Sequence, residues 1–170
     1  TCYIYGWGVD QDYDEAVKYI RLAADQDDPN AMFMLGMCYQ DGTGVEKDLE
    51  KAAELYEQAL EAGYEPDEED EKYITDLAET IFNEAKELID AEEFEASIPL
   101  LITASNLGNS DAQNNLGVSY ELGEGVEQNN EKAVEYYELA ADNGNAKAQS
   151  NLGIFYENGN GVEQDYEKDD

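Results

Sequence analysis

The feature that most constrains the fold of this chain is a seven-residue frame with four fixed residues that recurs along it. The frame reads Tyr-x-x-Gly-x-Gly-Val and begins at positions 3, 39, 120 and 156 of the 170 residues. Successive copies are 36, 81 and 36 residues apart, and the long interval accommodates one unit of 36 and one enlarged unit of 45. Units of this size cannot bury their apolar faces alone, so the repeat predicts a solenoid of stacked units.

Each unit contains two segments with helical spacing, one before the glycines and one after them. In the first segment alanine, leucine and tyrosine recur four residues apart, as at Ala112, Leu116 and Tyr120, which places them on one helical face. The second segment has an amphipathic pattern of its own, as at residues 132–137. The sequence therefore predicts an all-α fold in which each unit is a pair of helices.

Glycines outside the frame recur at two fixed places. One lies inside each first helix, where glycine costs about 1 kcal/mol relative to alanine, so its repetition predicts close approach by a neighbouring helix. These residues are Gly36, Gly117 and Gly153. Another follows the second helix, where a left-handed residue is expected to end it. These residues are Gly63, Gly108 and Gly144.

The Gly-x-Gly-Val loop could either cradle a ligand or turn a corner. Backbone amides of such loops can bind phosphate. Here acidic residues follow the valine, as at Glu46 and Glu127, and no lysine follows the glycines at the Walker spacing. We therefore predict a corner in which glycine permits a positive φ angle and valine fills the space between helices.

The composition excludes several classes of function. The chain has 42 acidic and 9 basic residues, a formal charge of −33 and no histidine. Such a charge repels nucleic acid and anionic lipid and attracts basic partners, although a solvated surface alone also explains it. The absence of histidine removes the commonest general base, and the single arginine, Arg21, argues against a guanidinium clamp on phosphate. No apolar run approaches the roughly 18 residues that span a membrane.

The complete pattern, Leu-Gly-x-x-Tyr-x-x-Gly-x-Gly-Val followed by Lys-Ala and Ala-Ala-x-x-Gly, resembles the Sel-one-like repeat, a relative of the tetratricopeptide repeat. The resemblance covers nearly the whole chain and is weakest between residues 64 and 93. It implies a right-handed α-solenoid of antiparallel helix-turn-helix repeats, a tetratricopeptide-like superhelix. It also implies an adaptor or scaffold that binds other proteins. From the lack of catalytic residues we expect no enzymatic activity, and we expect no cofactor.

We expect one solenoid domain over residues 1–170. Residues 1–63 contain the end of one repeat plus complete repeats, residues 64–108 a divergent tetratricopeptide-like repeat, and residues 109–170 a complete repeat plus a truncated one. Both ends interrupt a repeat, so we expect an excised piece of a longer array that could self-associate through its uncapped terminal repeats.

The divergent repeat lacks the glycine loop. Residues 71–91 are expected to form one long helix, preceded by an acidic run at residues 66–71 that suits a helix N-terminus better than a calcium loop. Pro99 has no amide hydrogen, so the next helix should either start near Ser97 or bend there.

Cysteine and tyrosine residues fit packing positions better than chemical ones. Cys2 and Cys38 occupy equivalent places in adjacent units, too far apart for a disulfide, so we expect free, buried thiols and a slight preference for a reducing compartment. Recurrent tyrosines are expected in the core. Tyr137 and Trp7 recur less faithfully and are candidates for surface contacts.

By analogy with tetratricopeptide domains, the first helices should line a concave groove that binds a partner. The groove positions differ between units, although drift on an unused face would give the same variation. They are Phe33, Met37, Gln40, Asp41, Asn114, Val118, Glu121, Ser150, Ile154 and Glu157. Apolar contacts at Phe33, Met37, Val118 and Ile154, in an acidic groove without lysine or arginine, favour a basic or amphipathic protein segment.

Two alternatives to the adaptor follow from the acidic residues. One is a decoy that occupies basic or nucleic-acid-binding proteins through charge alone, without binding nucleic acid itself. The other, less favoured, is a hydrolase that uses paired carboxylates such as Glu121 and Glu157. No metal site is expected from the spacing of the acids.

Overall fold

The computed structural model describes residues 12–158, and within that range the chain forms eight α-helices and no strand. The helices are α1 Tyr13–Ala24, α2 Pro29–Asp41, α3 Leu49–Glu61, α4 Glu68–Asp90, α5 Phe94–Asn106, α6 Ser110–Leu122, α7 Asn130–Asp142 and α8 Ala146–Asn158. The all-α prediction is confirmed for this part of the chain. The first glycine loop, the last glycine loop, Cys2 and Trp7 lie outside the described residues.

The chain divides into two compact units, Thr1–Leu77 and Ala78–Asp170, and α4 contributes residues to both. In the first unit α2 packs against α1 and α3. In the second unit α6 packs against α5 and α7, and α7 packs against α8. Each unit is thus built of sequential helix pairs, as the repeat predicted. The single domain over residues 1–170 and the right-handed superhelix stay predictions.

Helices α2 and α3 run antiparallel. The Asp48 N–H, just before α3, donates to the Tyr39 carbonyl near the end of α2, over 2.9 Å. The Tyr64 ring, beyond the end of α3, stacks on Phe33 in the first half of α2, with ring centroids 4.5 Å apart. Asn129 repeats the first contact in the second unit by donating to the Tyr120 carbonyl over 2.8 Å.

Short polar side chains begin most of these helices. Asp48 accepts a hydrogen bond from the Lys51 N–H over 3.0 Å, and Asn129 accepts one from the Lys132 N–H over 3.0 Å. Such a cap contributes about 1 kcal/mol to stability. The carboxylate of Asp67 caps α4 in the same way, so the acidic run does sit at a helix N-terminus. Among residues 12–158, no group of three or more acidic or cysteine side chains is arranged to hold a metal ion.

The predicted left-handed residues after the second helices are confirmed. Gly63, Gly108 and Gly144 have φ angles of 90°, 88° and 81°. Two helices end with the same hydrogen bonds and a left-handed residue that is not glycine. These residues are Asp27 after α1, with φ 60°, and Glu92 after α4, with φ 62°. A left-handed conformation costs a residue with a Cβ atom about 1–2 kcal/mol, which glycine avoids.

We expect Asp27→Gly and Glu92→Gly each to raise the free energy of unfolding by about 0.5–1 kcal/mol, after the higher entropy of glycine in the unfolded chain is subtracted. Urea denaturation measures the change. The control is Asp25→Gly, because Asp25 has a φ of −64° and gains no relief from glycine. Equal destabilisation by Asp25→Gly and Asp27→Gly would contradict the prediction.

The divergent repeat agrees with the sequence in one respect and differs in another. The expected long helix is present as α4, Glu68–Asp90. Helix α5 begins at Phe94 and contains Pro99, so the first alternative, a start near Ser97, is wrong, and a bend there stays a prediction. The reason is that Ser97 already belongs to the helix: its N–H donates to the Glu93 carbonyl over 3.2 Å and its hydroxyl to the Phe94 carbonyl over 2.8 Å. None of the eight helices in the described range has the length and apolar character that crossing a bilayer requires.

Candidate partner-binding groove

The repeated glycines of the first helices lie directly against buried tyrosines. A Cβ atom on Gly36 would lie 2.6 Å from the Tyr56 ring, and one on Gly117 would lie 2.5 Å from the Tyr137 ring. Both rings are fully buried. The predicted close approach of a neighbouring helix is therefore confirmed for these two glycines. The interpretation of Tyr137 as a surface contact is wrong, since none of its surface is exposed. Tyr137 lies 81 residues after Tyr56 and occupies the same place in the repeat.

The two buried tyrosines are fixed by polar residues that the sequence had placed in the groove. The Tyr56 hydroxyl donates to Oε1 of Gln40 over 2.7 Å, and the Tyr137 hydroxyl donates to Oε2 of Glu121 over 2.6 Å. Burial raises the pKa of Tyr56, and burial followed by the hydrogen bond to Glu121 raises the pKa of Tyr137, so both hydroxyls remain protonated donors. Gln40 and Glu121 therefore have a packing role.

The Gly-x-Gly-Val loop turns a corner, as predicted. The second glycine of each described loop lies against the backbone at the start of an earlier helix, α1 for Gly44 and α5 for Gly125. A Cβ atom on Gly44, where φ is 67°, would lie 2.6 Å from the Tyr13 carbonyl oxygen. A Cβ atom on Gly125, where φ is 75°, would lie 2.5 Å from the Phe94 carbonyl oxygen. Each loop thus fixes the position of the second helix of one repeat against the following repeat.

In the first unit, this contact places α1 beside α2 and leaves a groove of about 520 Å³ between α1, α2 and the start of α4. The lining residues are Tyr13, Ala16, Val17, Ile20, Met34, Met37, Cys38, Asp41, Thr43, Glu69, Asp70 and Tyr73. Most of the apolar residues come from α1 and α2, whereas the acids stand at the end of α2 and the start of α4. None of the described residues that line this groove is a lysine or arginine.

Three acidic side chains of the groove act electrostatically on one tyrosine, Tyr73. Burial raises the pKa of Tyr73, and the neighbouring charges of Asp41, Glu69 and Asp70 raise it further. Asp70 is oriented by the Tyr64 hydroxyl, which donates to its Oδ2 over 2.5 Å. A groove with carboxylates at one side and no base on its described lining favours a cation next to its apolar surface.

Cys38 lines the same groove as a neutral thiol. It is free and buried, as expected, and burial followed by the charge of Asp41 raises its pKa. A thiol with a raised pKa is a weak nucleophile at neutral pH, because the thiolate is the reactive form. Cys38 therefore contributes apolar surface.

The predicted groove residues of the first unit separate into two groups. Met37 and Asp41 line the groove, and Gln40 borders it by donating to the Tyr73 carbonyl over 3.3 Å. Phe33 does not line it. Its side chain is 1% exposed and its ring stacks on Tyr56, with centroids 4.8 Å apart. The expectation that Phe33 offers an exposed apolar contact is wrong, because the side of α2 that carries Phe33 packs against α3.

The predicted residues of the second unit differ in exposure. Asn114 is buried and accepts a hydrogen bond from Nδ2 of Asn151 over 3.0 Å. Val118 is half-buried against the core around α7 and α8. The three predicted residues of α8 are exposed: Ser150, Ile154 and Glu157. Ile154 is the most prominent apolar residue of the three, with 55% of its surface exposed.

Several groove residues were not singled out from the sequence. They are the α1 residues Tyr13, Val17 and Ile20, and the α4 residues Glu69, Asp70 and Tyr73. The amphipathic pattern of α1 and the acidic run were both visible in the sequence. The missing information was that the start of α4 lies beside the end of α2, which the repeat period does not predict because the divergent repeat interrupts it.

The family model described as Sel1 repeat matches residues 1–28, 29–64, 110–145 and 146–168. The matched segments cover most of the chain and leave out the divergent repeat that follows residue 64. The two middle segments contain the helix pairs α2–α3 and α6–α7 with the glycine loops between them, and the two outer segments contain α1 and α8.

Two proteins and one solved structure illustrate the similarity. The mouse protein DAP3-binding cell death enhancer 1 is 44% identical over 55 residues, which is 32% of this chain and 11% of that protein. An uncharacterized protein of Neisseria meningitidis serogroup B is 31% identical over 146 residues, 73% of this chain and 31% of that protein. A Sel1 repeat protein from Oxalobacter formigenes is 25% identical, with a TM-score of 0.49, over 96% of this chain and 64% of that one. The chain thus spans between a tenth and a third of these curated relatives.

Proposed function

The chain belongs to the Sel1 repeat family, and from that membership we propose that it is a non-catalytic adaptor that binds a segment of a partner protein. Members of this family typically serve as scaffolds for protein–protein interaction. One relative, DAP3-binding cell death enhancer 1, has a name that states a binding activity, which supports the same class of function here. The residues of the repeat frame pack the helices together, so residues outside the frame must determine which partner is bound.

The observation that carries the proposal is the groove of the first unit. Its apolar residues, such as Val17 and Met37, can bury the apolar face of a peptide, and Asp41, Glu69 and Asp70 can pair with cationic side chains beside that face. The occupant is therefore a basic or amphipathic protein segment. In the second unit, the exposed predicted residues of α8 remain part of the proposed partner-binding surface.

The experiment uses a synthetic amphipathic helix of leucine and lysine as the probe, with isothermal titration calorimetry and NMR chemical shifts as the readouts. We expect saturable binding, with shifts at α1, α2 and the start of α4. Asp41→Lys should weaken binding about tenfold, because it replaces attraction by repulsion beside the groove. The substitution puts a cation in the last turn of α2, which suits a helix C-terminus, so the fold should be retained.

The matched control is Asp142→Lys, which makes the same change of charge at the exposed last residue of α7, in the other unit. It should leave binding of the lysine peptide almost unchanged. A counterpart peptide with glutamate in place of lysine should not bind. Equal effects of the two substitutions, or the absence of shifts at α1, α2 and the start of α4, would count against the groove.

The acidic decoy is the second candidate, favoured by the formal charge of −33. A decoy binds through charge alone, so its affinity for a basic partner falls steeply with salt and depends little on where a charge is removed. Groove binding also depends on Met37, and Met37→Ala should weaken it at high salt as well as at low salt. The hydrolase alternative gains no support from Glu121, whose carboxylate is engaged by the buried Tyr137 hydroxyl.

A further inference from the structure

A second depression of the first unit, of about 470 Å³, has the opposite electrostatic character from the groove. Three basic side chains line it, although the whole chain has only nine lysine and arginine residues. They are Arg21 at the end of α1, Lys47 in the loop before α3 and Lys51 in the first turn of α3. The other lining residues are Tyr39, Val45, Glu46 and Asp48.

Tyr39 holds two of these cations in place. Nη2 of Arg21 donates to the Tyr39 hydroxyl over 2.9 Å, and Nζ of Lys51 lies 5.3 Å from the centroid of the Tyr39 ring. A guanidinium group has five N–H donors, so most of those of Arg21 remain available to a ligand. The hydroxyl and the ring of one residue thus fix an arginine and a lysine around the same space.

The three cations lack acidic partners within the described part of the chain. Among residues 12–158, no carboxylate oxygen lies within 4.0 Å of the charged nitrogens of Arg21, Lys47 or Lys51. Glu46 and Asp48 oppose an anion in this depression. One carboxylate oxygen of Asp48 already caps α3, since its Oδ1 accepts a hydrogen bond from the Lys51 N–H over 3.0 Å.

The second unit provides an internal comparison. It keeps the tyrosine and lysine of the repeat, with Nζ of Lys132 lying 5.0 Å from the centroid of the Tyr120 ring. Ile102 and Gln128 stand 81 residues after Arg21 and Lys47, so the other two cations are missing there. Packing of the repeat accounts for the lysine over the tyrosine. It does not account for Arg21 and Lys47, which are additional in the first unit.

We propose that this depression binds a phosphoryl group as its dianion. Arginine presents a planar fork that matches phosphate oxygens, and two lysines supply further charge around the same space. The large negative charge of the chain opposes binding, but charges beyond about 8 Å are screened at physiological ionic strength. Among the residues that line the depression, three cations outnumber two carboxylates. This revises the expectation, drawn from composition, that a single arginine argues against a phosphate site.

The ligand chemistry has two sources, free phosphate or a phosphorylated side chain of a partner. The probes are inorganic phosphate and a short phosphoserine peptide, titrated at constant ionic strength against chloride while NMR signals of Arg21 and residues 45–51 are followed. We expect saturation by phosphate and no saturation by chloride. Binding of the peptide at least tenfold tighter than inorganic phosphate would identify a partner side chain as the source, and comparable binding would identify free phosphate.

The variant is Lys47→Gln, which installs the residue of the second unit at an exposed loop position where loss of folding is not expected. It should weaken phosphate binding about tenfold, the effect of losing one charged hydrogen bond. Lys132→Gln, which removes the cation over Tyr120, should leave binding unchanged. Tyr39→Phe should also weaken binding, because Arg21 loses its hydroxyl partner. Identical titrations for Lys47→Gln and Lys132→Gln, or chloride shifts as large as phosphate shifts, would overturn the site. This result does not depend on whether the groove binds a peptide.

Discussion

Gly125→Ala is expected to lower the free energy of unfolding by about 3 kcal/mol, the sum of a left-handed alanine and an overpacked contact. The φ angle of Gly125 is 75°, and its added Cβ atom would lie 2.5 Å from the Phe94 carbonyl oxygen and 2.9 Å from the Glu95 nitrogen. Both obstacles are backbone atoms at the start of α5, so no side-chain rotation relieves the contact. Urea denaturation measures the loss, and hydrogen exchange should show faster opening of α5 and α7.

Gly123→Ala separates the two causes within the same loop. Gly123 has nearly the same φ angle, 74°, but its added Cβ atom would lie 3.3 Å from the nearest atom, Cβ of Gln128. We expect a loss of about 1–2 kcal/mol, mainly from backbone conformation, because the Gln128 side chain needs to shift by only a few tenths of an ångström. If the two substitutions cost the same, the close contact between the loop and α5 does not contribute to stability.

Gly117→Ala should destabilise the protein by about 2 kcal/mol, although a glycine-to-alanine change inside a helix normally stabilises it by up to about 1 kcal/mol. The added Cβ atom would lie 2.5 Å from the Tyr137 ring. That ring is fully buried and fixed by its hydrogen bond to Glu121, so it cannot move aside. The free energy of unfolding is again the measurement, and the sign of the change is the decisive result.

Two further variants test this explanation. Glu135→Ala, on the exposed side of α7, should change stability by less than about 0.5 kcal/mol. In the double variant Gly117→Ala with Tyr137→Leu, the smaller leucine side chain leaves room for the added Cβ atom. The double variant should therefore lose less stability than the sum of the losses in the two single variants. Stabilisation by Gly117→Ala, or strict additivity in the double variant, would contradict the role assigned to the ring.

The same packing frame determines the shape of the candidate groove. In the first unit, the Cβ atom that Gly44 lacks would lie 2.6 Å from the Tyr13 carbonyl oxygen and 2.9 Å from Cγ2 of Val17. Tyr13 and Val17 both line the groove. The loop glycine therefore sets the position of one wall of the groove, so an invariant packing feature supports residues that vary between repeats.

The sequence by itself determined the repeat, the helix pairs and the roles of the glycines. These features could be predicted because they depend on local rules: helical spacing, the need for a positive φ angle and the cost of glycine inside a helix. The corner at Gly42 and Gly44 and the left-handed cap at Gly63 followed from such rules and are confirmed. The family resemblance rested on the same residues.

Only the tertiary structure decided which residues of a helix face remain accessible. Phe33 and Met37 are four residues apart on α2, yet Phe33 is buried against α3 and Met37 lines the groove. Helical spacing predicts which side chains share a face, but the neighbouring helices determine how much of that face they cover. The positions of Tyr73 beside α2 and of Arg21 beside Tyr39 join residues that are distant in the chain, and packing between helices, which no local rule encodes, brings them together.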